Sequence, residues 1–75
     1  MYLTPKNQNK VDNIVEDIVL HRSKSFIMDK KTWAGEIFYS DIYNYCKNSF
    51  SKKDLPLAHS EICDDLRKAN FYIHS

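Results

Sequence analysis

The side chains best suited to covalent, acid-base or metal chemistry are three histidines, two cysteines and a carboxylate group in the C-terminal third. His59 and Cys63 stand four residues apart, so on a helix they would be neighbours, as in a nucleophilic Cys-His pair. Such a pair also needs an oxyanion-stabilising group and a third residue to orient the base, and neither comes with the spacing. Cys63 and Cys46 therefore read as buried small hydrophobes. His21, His59 and His74 are far apart, so a zinc site would have to be assembled from scattered positions. Glu61, Asp64 and Asp65 fit the solvated face of a helix, and a single glycine excludes a phosphate-cradling loop. These residues predict no catalytic site, no metal, no cofactor and no small-molecule substrate; the chain is not expected to be an enzyme.

Seventy-five residues form one domain, 1–75, near the lower size at which a core supports folding without staples. Five Tyr, four Phe and one Trp against one Gly and two Pro argue for a packed, helix-rich chain over a disordered or turn-rich one. A net charge of +1 gives no general attraction to nucleic acid or membrane, so any such attraction must come from local clusters. Two cysteines are too few for a disulfide framework. No apolar run approaches the roughly 20 residues that cross a bilayer, and the polar segment Lys6 to Lys10 does not suit a signal peptide. A cytoplasmic location without membrane partners is expected. The abundance of Lys, Asn, Ile, Ser and Tyr hints at an AT-rich coding sequence of the kind found in phages and mobile elements.

The elements that must position these residues follow from periodicity. Val11, Ile14, Val15, Ile18 and Val19 share one helical face, with Thr4 and Pro5 as a start signal and His21, Arg22 and Lys24 near the end. Ser25 to Met28 is a connector or a brief strand, and Asp29 to Lys31 a polar turn. From Thr32 two readings compete. In one, a single helix carries Ala34, Ile37, Phe38, Ile42, Tyr45 and Cys46. In the other, Glu36 to Tyr39 is a short strand and Ser40 caps a helix from Asp41 to about Asn48. After a loop over Ser49 to Asp54, Pro56 belongs to the first turn of a last helix, whose inner face holds Ala58, Ile62, Leu66 and Ala69. Asn70 is a suitable stop, and Phe71 to Ile73 is strand-prone. The expected fold is mainly α: a small three-helix helix-turn-helix, winged where a short two-stranded sheet flanks it.

The stretch from Ile37 to Lys47, rich in aromatics, then a polar loop, then Leu57 to Phe71 resembles the winged-helix module at the C-terminal end of phage and plasmid primase-helicases. The ending Leu66, Arg67, Lys68, Ala69, Asn70, Phe71 is similar to the Leu-basic-x-x-aromatic pattern of those modules, with Asn70 where glycine is common. The resemblance covers about half the chain. It implies a winged-helix fold and contact with double-stranded DNA, without a helicase motor. His59 and Ser60 would then meet base edges, and Arg67, Lys68, Lys52 and Lys53 would lie near phosphates. Glu61, Asp64 and Asp65 on the same helix oppose this by repelling the backbone. The alternative partner is a host or phage protein, which a near-neutral, aromatic-rich chain could inhibit or redirect. Tyr39, Tyr43 and Tyr72 are its candidate anchors, competing with a place on the rim of the core. The expected function is that of a small DNA-binding regulator or replication accessory; the alternative is a protein-binding inhibitor.

Overall fold

A computed structural model describes residues 3–75. Helix α1 (Pro5–Arg22) leads into a hairpin of β1 (Ser23–Met28) and β2 (Lys31–Phe38); helices α2 (Tyr39–Cys46) and α3 (Leu55–Lys68) follow, and β3 (Phe71–His74) closes the fold. β1 pairs antiparallel with β2 and β3 pairs parallel with β2, giving the strand order β1-β2-β3. The domain is thus α/β, with the three expected helices but with three strands in its sheet where two were expected.

Local chemistry accounts for most boundaries. Thr4 caps α1, its hydroxyl accepting the Asn7 N–H at 3.2 Å, and Pro5 occupies the first turn, where its missing N–H costs nothing. Asp29 and Lys30 both take positive φ, 54° and 62°, as a tight two-residue hairpin turn requires. Asn70 adopts φ 66° after α3, releases the chain from the helix and sends its side-chain amide to the Thr32 carbonyl at 3.0 Å.

The competing readings from Thr32 onward resolve in favour of a strand, and the single long helix is overturned. The strand starts at Lys31, five residues before the expected Glu36, and the helix starts at Tyr39 without Ser40 as its cap. The reason is tertiary. Gly35 and Ile37 face inward on alternate positions while Ala34, Glu36 and Phe38 face out, a period-two pattern that the helical stripe had absorbed. At Gly35 the ring of Phe71 fills the space a side chain would occupy: an added Cβ would lie 2.5 Å from Phe71 Cε2 and Cζ. β1 bulges between Ser23 and Phe26, where its register against β2 shifts.

The helices cover one face of the sheet. Val11 and Ile18 from α1, Ile42 and Cys46 from α2, Ala58, Ile62, Cys63 and Leu66 from α3, Phe50 from the loop and Ile37 and Phe71 from the sheet form one core. Ala69, expected on the inner face of α3, lies past its end and is exposed. Polar contacts tie α1 to the α2–α3 connection: Lys10 Nζ donates to the Ser49 carbonyl at 2.8 Å, and Asn7 Nδ2 donates to the Asp54 carboxylate at 3.1 Å. Among the described residues no helix is long and apolar enough to cross a membrane.

Candidate binding surface

α2 and α3 form the helix pair on which the DNA-contacting residues were expected. They are joined by residues 47–54, a connection longer than the turn of about 3–4 residues in compact helix-turn-helix units. Lys52, Lys53, Ser60, Arg67 and Lys68 are exposed. His59 is not: it is only 7 % exposed, beneath the rings of Tyr39 and Tyr43, whose centroids lie 4.3 and 6.1 Å away at steep angles. Its expected contact with base edges is therefore corrected, because the helical phase that turns Ser60 outward turns His59 toward α2. Among the described residues His59 Nε2 has no hydrogen-bond partner.

The charge on α3 is mixed in space as it is in sequence. Arg67 reaches Asp64 at 3.3 Å one turn away, with both side chains more than half exposed, so the pair contributes little to stability and remains open to other partners. The exposed Lys52 and Lys53 stand apart from it on the loop. Arg22 meets Asp41 at 3.6 Å and lies over the Tyr45 ring at 5.9 Å, anchoring the start of α2 to the end of α1.

The cysteines do not assemble a reactive centre. Cys46 and Cys63 are both free and buried, and burial pushes both thiols up, away from the thiolate form that nucleophilic chemistry needs. Among the described residues no cluster of three or more His, Cys, Asp or Glu side chains could hold a metal ion.

The conspicuous surface is aromatic. Tyr39 and Tyr43, open between an anchor role and the rim of the core, are 50 % and 45 % exposed, and Phe38, which belongs to the core stripe only in the long-helix reading, is 53 % exposed. Phe38 leans on His74 with centroids 4.8 Å apart, His74 meets Tyr72 edge-on at 4.7 Å, and Tyr72 meets Trp33 edge-on at 5.1 Å. Tyr72 is only half-buried, and His74 Nε2 contacts Glu36 at 2.8 Å. The result is a run of ring contacts from Trp33 through Tyr72 and His74 to Phe38, separate from the Tyr39 and Tyr43 rings on His59. The missed members are Trp33, Phe38 and His74; reading residues 31–38 in period two would have found Phe38, opposite the buried Ile37, whereas His74 joins only through the pairing of β3 with β2. Comparison with protein-family models, with curated proteins and with solved structures finds no match for this chain.

Proposed function

We propose that this protein is a non-enzymatic binding module that docks on a protein partner through the aromatic corner formed by Phe38, Tyr39 and Tyr43. The observation that carries this reading is the exposure of those three rings, each about half open to solvent, with Tyr39 and Tyr43 sharing the His59 ring as a support; Leu20 and Ile27 are the other large apolar side chains left exposed. Aromatic side chains of this kind act as interface anchors, because they offer large contact areas with few rotatable bonds to freeze. The buried His59 supports the Tyr39 and Tyr43 rings from below and holds them at the surface. The mixed charge of α3 is compatible with a protein interface, where a polar rim surrounds an apolar centre.

A second reading, a winged helix-turn-helix that binds double-stranded DNA, is favoured by one observation: Lys52, Lys53, Ser60, Arg67 and Lys68 are all exposed on the α2–α3 pair. In that reading the β1–β2 hairpin is the wing and α3 approaches the groove with Ser60. The burial of His59 and the carboxylates of α3 weigh against it.

One comparison separates the two. Wild type, a Tyr39→Ser/Tyr43→Ser variant and a Lys52→Ala/Lys53→Ala/Arg67→Ala variant are each tested for saturable capture of a protein from host lysate and for duplex DNA binding at two salt concentrations. Docking through the aromatic corner predicts that only the tyrosine variant loses its partner and that no form binds DNA with a steep salt dependence. Salt-sensitive DNA binding that only the basic-residue variant loses would replace it with the DNA reading.

A further inference from the structure

We infer that β3 is a strand-pairing edge and that its occupant is an extended, acidic segment of a protein partner, an inference that rests on the protein-docking reading above. β3 lies at one end of the sheet, so among the described residues only one of its sides is hydrogen-bonded. Ala34 donates its N–H to the Asn70 carbonyl at 2.9 Å, so the even-numbered residues of β2 direct their backbone groups toward β3. With the parallel register Gly35↔Phe71 and Ile37↔Ile73, Phe71 and Ile73 then bond to β2. Tyr72 and His74 direct their N–H and C=O groups to the free side, where a further strand would find two donors and two acceptors already aligned.

The two edges of this sheet are treated differently. β1 carries a bulge and the polar run Ser23, Lys24, Ser25, devices that blunt an edge against pairing. β3 reads Phe71, Tyr72, Ile73, His74 and has no bulge, no proline and no lysine. Beside it lies a shallow groove of about 290 Å³ lined by Lys31, Trp33, Arg67, Phe71, Tyr72 and Ile73. Its charged lining is two cations and no carboxylate. The Lys31 ammonium sits over the Trp33 ring at 4.1 Å, and Arg67 makes an exposed contact to Asp64. Acidic side chains at alternate positions of an added strand would meet these cations while its backbone pairs with Tyr72 and His74. A second copy of the chain fits less well, because it would bring two such cationic grooves together.

The test uses the whole chain, isotopically labelled, with two synthetic probes of identical strand propensity: acetyl-Val-Glu-Val-Glu-Val-amide and its lysine counterpart. The expected result is that the acidic peptide shifts and protects the Tyr72 and His74 amides and binds at least about threefold more tightly than the basic one, as two partly exposed ion pairs would give. Lys31→Gln/Arg67→Gln, which changes only exposed side chains, should abolish that preference and leave the spectrum otherwise native. Equal binding of both peptides, or none at millimolar concentration, overturns the inference. Perturbation confined to Phe38, Tyr39 and Tyr43 also overturns it while leaving the aromatic docking reading intact. Protection of the same amides without peptide, accompanied by a dimer in sedimentation, overturns it by making a second copy the occupant.

Discussion

Gly35→Ala is the most informative single substitution in this fold. An alanine Cβ at this site would stand 2.5 Å from two carbons of the Phe71 ring and 2.8 Å from the Arg22 carbonyl oxygen. Neither obstacle can yield cheaply. Phe71 is 1 % exposed and packed in the core, and the Arg22 carbonyl is backbone at the junction of α1 with β1. Forcing a methyl into such a space costs about 1–3 kcal/mol. Replacing glycine in a strand returns roughly 0.5–1 kcal/mol through reduced freedom of the unfolded chain. The clash therefore prevails, and the net loss is about 1–2 kcal/mol. Urea unfolding followed by circular dichroism reads it directly: with a slope of about 1 kcal/mol/M for a domain this small, the midpoint falls by about 1–2 M. Phe71→Leu alone is destabilising through the cavity it leaves, but the double variant Gly35→Ala/Phe71→Leu should be more stable than the two single losses added together, because the cavity admits the methyl. An unchanged midpoint in Gly35→Ala, or strict additivity in the double variant, would refute the claim that Phe71 fills the space over Gly35.

Further outcomes follow from other sites. Lys30→Gly should raise stability by about 1 kcal/mol, since a non-glycine residue at φ 62° is strained, and thermal unfolding should shift upward by roughly 4–8 °C. Thr4→Ala removes the cap on the Asn7 N–H and should cost about 1 kcal/mol, read as increased amide exchange in the first turn of α1. His59→Leu removes a buried nitrogen without a partner among the described residues and should leave stability equal or raised by about 1 kcal/mol; a clear loss would mean that Nε2 has a partner in solution. Because burial raises both thiols, Cys46 and Cys63 should stay protonated at pH 8, and a thiol-specific reagent should label them only as the protein unfolds. Rapid labelling of the native protein would contradict their burial.

What the sequence revealed follows the range of the forces involved. α1 and α3 were legible because their apolar stripes and start signals are local: Val11 and Ile18 sit in the core, and Thr4, Pro5 and Pro56 stand where helix starts place them. Asn70 was legible for the same reason. β2 was harder, because Ala34, Ile37 and Phe38 satisfy a helical spacing as well as an alternating one. What decides between them is Phe71, which lies far along the chain and packs over Gly35. β3 was visible as a strand-prone segment, but its parallel pairing with β2 has no local signature. At the candidate surface, the exposure of Tyr39 and Tyr43 followed from the helical phase of α2, whereas His59 was misplaced for want of its neighbour. Its burial depends on how α2 crosses α3, which no spacing within α3 encodes.

The parallel pairing of β2 with β3 also sets an order of events in time. The β1–β2 hairpin closes through a two-residue turn, and α1 and α3 can begin from their own local signals, but β3 can register against β2 only after the chain has passed through both α2 and α3. Closing so long a loop comes late and slowly compared with helix or hairpin formation. On the ribosome, where the chain emerges from its N-terminus, the ring of Phe71 is delivered after every other large side chain of the core. Until it arrives, the hollow above Gly35 is empty, so the four-residue β3 acts as the latch that completes the core.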